Sequence, residues 1–314
     1  MNPRLDAVVR LDGRYDARVL EPSPPAVADG PWFADDPVAR GEAPGELPRV
    51  SPVGGADLRW EDLLPERPEL AAWCSERWLA AYRPLVALPS SFGRTRRALH
   101  SLAEQVLSPA RAAANGKIGL RFTAGGFGTP FFGEDVQVRV RGGELILQSA
   151  DILLAAPITT LKAAAEHIGP ELLPVDVADT QELAVDPNAS ALLGDWFGFG
   201  ASVLEELRAG AGEDLEPSRV QIWPEHFDIA VEIGSESAGR RAGFGASPGD
   251  DEHPEPYLYV VPWGEVPAGE LWRASGFAGA ELPFSALLGA EDQRASAVGF
   301  FTERLRSLSA QVPA

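Results

Sequence analysis

The sequence predicts an α+β protein: antiparallel sheet flanked by helices, with an extended N-terminal arm. Three observations carry this. Helical and strand-like patterns arrive in blocks, helices then strands, twice over and closed by a last helix, rather than in the regular alternation of a parallel βαβ fold. Arg141-Gly142-Gly143-Glu144 separates two apolar segments at the spacing of a tight hairpin. From His226 to Ile233 the pattern alternates, with Phe227, Ile229, Val231 and Ile233 on one side and His226, Asp228, Ala230 and Glu232 on the other, which marks a half-buried strand.

In chain order, residues 1–50 are crowded with proline, glycine and acids and read as an arm. Within it, residues 7–11 are strand-like, and Trp32 and Phe33 are candidate anchors onto the core. Helical patterning covers 60–82, with Pro68 suited to a first turn and Cys74 reading as a small buried thiol. A second helix is expected over 94–115, striped by Leu99, Leu102, Ala103, Val106 and Leu107 and stopped by Asn115-Gly116; His100 lies beside the stripe. After Gly116 the period changes. Ile118, Leu120 and Phe122 alternate, residues 124–133 read as a glycine-rich turn, and Val136, Val138 and Val140 lead into the hairpin and residues 145–149. Helices are expected over 159–168 and 189–208, strands from Arg219 onward including 226–233 and 257–261, and a closing helix over 290–308. The organisation is one α+β domain over 51–314, or two closely packed halves, 51–180 and 181–314. A likeness between Gly126-Phe127-Gly128-Thr129-Pro130 and Gly243-Phe244-Gly245-Ala246-Ser247-Pro248 raises duplication as a further reading.

Composition narrows the function. The chain has 46 acidic against 27 basic residues, a formal charge of −19, which disfavours nucleic acid and anionic membrane as partners because both need a basic face. A single cysteine excludes an intramolecular disulfide and a multi-cysteine zinc site. Neither a signal-like start nor a membrane-length apolar run occurs in the sequence, so the expected location is the cytoplasm.

The candidate site falls between Val220 and Trp263, where two of the four histidines, a run of acids and several large aromatics gather. Side chains at i and i+2 of a strand stand about 7 Å apart on one face, so His226 and Asp228 are able to converge on one ligand, metal or proton. A divalent metal would take His226, Asp228 and His253, with Asp250 or Glu255 completing its shell. Without a metal, His226 or His100 would exchange a proton while Asp228 orients the ring. The competing reading is a packed His–Asp bond that only holds a strand in place. Trp223, Phe244, Tyr257, Tyr259 and Trp263 suggest an aromatic-lined concavity for a small ligand, against the alternative of an aromatic core. Neither a Gly-x-Ser-x-Gly elbow nor a phosphate-binding glycine loop is present.

Ala98-Leu99-His100 on a helix, then a strand, a Gly-Thr-Pro turn and an alternating strand, then Trp223 ahead of Phe227-Asp228-Ile229-Ala230, and finally residues 254–260, resemble the bacterial proteins grouped as domain of unknown function 5996. The likeness spans about residues 93–308. It carries no reaction over to this chain. In the family a Trp-His pair follows the helical Leu-His, whereas the corresponding stretch here, AANGKIGLRF, has no histidine. Two functions therefore stand side by side: a small-molecule binding protein with the ligand held by Trp223, Phe244, Asp250, His253, Tyr257 and Tyr259, or an enzyme, hydrolase-like and with or without a divalent metal, using His226, Asp228 and His100. The further expectation is that His226 and Asp228 share a face, with the loop from Gly243 to Pro256 folding back over it between neighbouring strands.

Overall fold

The computed structural model describes residues 16–20, 50–51, 58–59, 83–123, 125–130, 132, 136–149, 152–211 and 213–310. The expected strand at 7–11, the anchors Trp32 and Phe33, the helix over 60–82 and Cys74 lie outside the described residues. What is described is an α+β fold of two antiparallel sheets and the helices that cover them.

Helix α1 (Phe92–Leu102) passes through one π-helical turn, Ala103–Leu107, into α2 (Ser108–Asn115). The apolar stripe read from the sequence is buried throughout. Gly116 ends the run at φ 74°, a left-handed conformation that glycine adopts without a Cβ penalty, and its N–H reaches back to the Ala112 carbonyl at 2.8 Å.

The first sheet begins with β1 (Asp16–Leu20); a short parallel pair, β2 (Val50–Ser51) and β3 (Leu58–Arg59), stands apart from it. Its body is a meander of β4 (Arg121–Thr123), β5 (Gly126–Gly128), β6 (Val136–Arg141), β7 (Glu144–Ser149) and β8 (Ile152–Pro157), with β1 added beyond β8. The glycine-rich stretch expected to be a turn thus contains a strand. Gly125 keeps the turn, at φ 73°, while the strand's own glycines serve close approach: a Cβ on Gly128 would stand 2.5 Å from the Val138 carbonyl oxygen, and one on Gly194 of the overlying helix 2.6 Å from the Gly126 nitrogen.

Helix α3 (Leu161–Ile168) is capped by the Thr160 hydroxyl, which accepts the Ala163 N–H at 3.0 Å. Helix α4 (Pro187–Gly210) is capped by Asp186, has proline in its first turn, and is tied to α1 because the Asp186 N–H donates to Thr95 Oγ1. The second sheet follows in sequential order: β9 (Gln221–Trp223), β10 (Asp228–Ile233), β11 (Ala242–Ser247), β12 (Tyr257–Pro262) and β13 (Ala280–Pro283). Helices α5 (Phe284–Leu288) and α6 (Gln293–Ser309) close the fold.

Two expectations are corrected in this sheet. Residues 243–247 are not loop but strand β11, which lies between β10 and β12, so those two are not neighbours. The glycines at 243 and 245 hide its alternation. Strand β10 starts at Asp228 rather than His226, because Phe227 has φ 55° and breaks the extended backbone; His226 belongs to the turn before it. The two Gly-Phe-Gly segments fall on non-equivalent strands, the second of one meander and the third of the other.

Helix α4 packs on β4 and β5 of one sheet and on β10 and β11 of the other, and a single apolar cluster runs from Leu85 to Leu308. The sheets also meet directly, where Leu120 and Ile222 exchange two backbone hydrogen bonds of 2.7 Å. Among the described residues no helix is long and apolar enough to cross a membrane.

Candidate functional site

Pairing in the second sheet aligns Ala230 with Gly245 and Gly245 with Tyr259, so side-chain parity is shared across the strands. One face, with Ile229, Val231, Ile233, Phe244, Ala246, Leu258 and Val260, is buried in the core under α4 and α6. The other carries Asp228 from β10, Ser247 from β11, and Tyr257, Tyr259 and Val261 from β12. These residues floor a cleft of about 540 Å³, walled by His100, by Glu225 and His226 of the turn, by Asp250, Glu252 and His253 of the loop, and by Gly276 and Phe277.

Asp228 is the most enclosed acid of the cleft, at 5 % exposure. The Tyr259 hydroxyl donates to its Oδ2, while Oδ1 has no hydrogen-bond partner among the described residues. Burial pushes the carboxyl above its usual range; the Tyr259 hydroxyl, His226 and the residue's own N–H oppose that push, and Glu225 adds to it. Burial, then the charge of Asp228, holds the Tyr259 phenol well above its ordinary value, so it remains a donor. Tyr257 is also raised, by burial first, against a hydrogen bond with Ser247. Gly245 makes this arrangement possible. The Tyr259 ring crosses directly over it, and a Cβ there would collide with both the ring and the hydroxyl.

His100 acts on the site through the β9–β10 turn. Its Nε2–H donates to the Pro224 carbonyl at 2.9 Å, the donor role being fixed because a carbonyl only accepts. Its ring stacks on Phe227 at 5.1 Å and 3°. Phe227 in turn meets Phe127 and Phe197 edge-on, and its N–H closes the turn onto the Trp223 carbonyl at 2.7 Å. A left-handed backbone at a bulky residue costs about 1–3 kcal/mol and persists only where the surroundings impose it. Here three packed rings impose it, and the next residue is Asp228.

On the opposite wall, Asp250 Oδ1 accepts the N–H groups of Glu252 (2.7 Å) and His253 (2.6 Å) and lies 3.6 Å from His253 Nδ1. His253 Nε2–H donates to the Ser275 carbonyl at 2.7 Å. That carbonyl is the main cause of the upward shift of the imidazole pKa, assisted by Asp250 and Glu281 and opposed by burial. Arg96 and Arg97 of α1 pin the loop through Asp251 at 3.3 and 3.1 Å. Tyr257 stands 5.0 Å from His253 and 6.2 Å from both Tyr259 and Phe277, centroid to centroid.

His100, His226, Asp228, Asp250, His253, Tyr257 and Tyr259 therefore line one cleft. Three of the expected aromatic residues do not. Phe244 has the opposite parity and packs in the core against Phe301 at 6.0 Å. Trp223 is paired with Asp228 in register but remains half-buried outside the cleft lining. Trp263 stands over the Arg241 guanidinium, away from the cleft. Sequence reading missed Gly245, Ser247, Glu225, Glu252, Val261, Gly276 and Phe277; only strand parity, available once β11 is known, would have found the first two. Glu255 is held by Ser285, which donates both its N–H and its hydroxyl at 3.1 Å. Among the described residues no three His, Cys, Asp or Glu side chains gather as a metal site.

Compared with family models, curated proteins and solved structures, the chain matches none.

Proposed function

We propose that the protein binds a small molecule in the cleft over the second sheet, as a cytoplasmic protein without nucleic-acid partners. The observation that carries this reading is a concavity of ligand size with a buried carboxylate on its floor that is only half partnered. Small-ligand sites are typically clefts of about 300–1,000 Å³ in which apolar and aromatic walls surround a few placed polar groups, and a buried acceptor without a partner is uncommon in folded proteins. Membership in the family of domain of unknown function 5996 is part of the proposal. It is supported by the way the residues of the resemblance meet: His100 stacks on Phe227, and Trp223 pairs with Asp228.

The test is a thermal-shift screen of wild type and Asp228→Asn against a metabolite library. Compounds that raise the melting temperature of wild type should lose that effect in the variant, while the variant itself melts no lower. Absence of any stabilising compound, or hits indifferent to both Asp228→Asn and Tyr257→Leu, would remove the cleft as a binding site.

A second reading has one specific observation in its favour. A carboxyl raised by burial, next to a phenol and an exposed imidazole, is suited to proton transfer, so the same residues would serve a hydrolase-like enzyme. Incubating each stabilising compound with the protein and following it by mass spectrometry separates the two: turnover abolished in Asp228→Asn marks the enzyme, an unchanged compound the binder.

A further inference from the structure

We infer that the cleft selects an organic cation, a small amine whose ammonium group meets Asp228 while its apolar body lies against Tyr257 and Phe277. The inference rests on the binding reading and names the ligand class of that same site.

The charges point one way. Glu225, Asp228, Asp250 and Glu252 line the cleft, and among the described residues no lysine or arginine does; the nearby guanidinium groups of Arg96 and Arg97 are drawn instead to Asp251, outside it. An anionic ligand would enter a field dominated by its own sign, with only imidazoles to receive it. The hydrogen-bond inventory points the same way. Asp228 Oδ1 is buried and, among the described residues, unpartnered, Tyr259 has spent its only hydroxyl proton on Oδ2, and His100 and His253 have committed their Nε2–H groups to backbone carbonyls. Oδ1 is thus left as an open acceptor on the cleft floor, and an ammonium would bring both the N–H and the compensating charge in one group.

The walls select for what carries the charge. Tyr257, Phe277 and His253 form a connected aromatic corner 5.0–6.2 Å apart, and Val261 adds an aliphatic patch. Ring faces attract an adjacent cation and receive an apolar body equally well. A bare metal ion is the alternative cation, but its ligands would have to gather, and among the described residues they do not.

Three probes of one shape and different charge test this: benzylamine, benzyl alcohol and benzoate, titrated into the full-length protein by calorimetry at neutral pH. Benzylamine should bind about tenfold or more tightly than either of the others, the scale of a charge-assisted bond to a buried carboxylate. Asp228→Asn should remove that preference. If that variant does not fold, Asp250→Asn keeps the oxygen that accepts the Glu252 and His253 N–H groups, removes one charge, and should weaken benzylamine severalfold. Tyr257→Leu, which removes one ring face, should do likewise. Equal or tighter binding of benzyl alcohol or benzoate, absence of benzylamine binding, or undiminished binding in all three variants overturns the inference. Binding of a neutral or anionic library compound that depends on Asp228 would overturn the ligand class and leave the binding site standing, whereas a library without any cleft-dependent ligand would remove the binding reading itself.

Discussion

A buried ionisable side chain records what the fold demands of it, and two such groups here demand opposite things of pH. Asp228 is raised, so its ionised form is held at a cost that grows as pH climbs from the ordinary carboxylate range through the folded value; removing its charge in Asp228→Asn relieves that cost. His167, fully buried on α3 with backbone bonds to Leu154 and Leu145, is lowered by burial from 6.5 to about 4. Below pH 6.5 the unfolded chain takes up a proton that the folded protein refuses, so this contribution to stability is complete above 6.5 and is lost as pH falls toward 4. Between pH 7 and pH 5 the loss amounts to about 2 kcal/mol. Urea unfolding of wild type and His167→Gln at those two pH values should show the drop in wild type and a smaller one in the variant, whose amide does not titrate. Equal drops in both would mean that His167 is protonated in the fold.

The elements of this protein are decided as much by missing side chains as by present ones. Helix α4 lies across both sheets because Gly194 comes down on Gly125 and Gly126, and Gly200 on Ala246 and Ile229. Gly194→Ala should therefore destabilise by about 1–3 kcal/mol despite alanine's better helix propensity, because the obstructing atoms belong to backbone. Gly299 in α6 has open space where its Cβ would be, and Gly299→Ala should stabilise by about 0.5–1 kcal/mol. Thermal melts of the two variants check both signs. The same glycines explain what the sequence revealed and what it did not. Helix ends marked by local chemistry, such as Asn115-Gly116, were readable, and so were strands whose apolar side chains alternate, such as Val136–Val140. Strands β5 and β11 were not, since glycine leaves no alternation to see. Losing β11 cost the parity of the sheet, so Phe244 was grouped with Tyr257 and Tyr259 although it faces the core. The start of β10 was hidden for another reason: the left-handed Phe227 is imposed by His100, Phe127 and Phe197, and only His100 among these drew notice as a candidate site residue. His226, Asp228, Asp250, His253 and the two tyrosines were readable because polar and aromatic residues crowd one short window.

At the scale of the whole molecule, two meanders share one interior. Phe197 of α4 stands 5.9 Å from Phe127 in the first sheet and 5.3 Å from Phe227 at the entrance to the second, and Leu120 and Ile222 join the sheet edges. A core that crosses the boundary in this way leaves neither sheet a buried face of its own, because separating them would expose α4 on one side or the other. Unfolding of the region from Leu85 to Leu308 should then be a single cooperative transition. Far-UV circular dichroism and tryptophan fluorescence should give coincident urea curves, and the calorimetric enthalpy should equal the van't Hoff value. Phe197→Ala sharpens the test. Truncating a fully buried phenylalanine costs about 3–5 kcal/mol, and in a shared core the loss must be felt by both sheets together. The whole transition should move to lower urea without splitting. Two resolved transitions in wild type, or a variant in which only one of two phases moves, would show instead that each sheet folds on its own and that α4 merely docks between them.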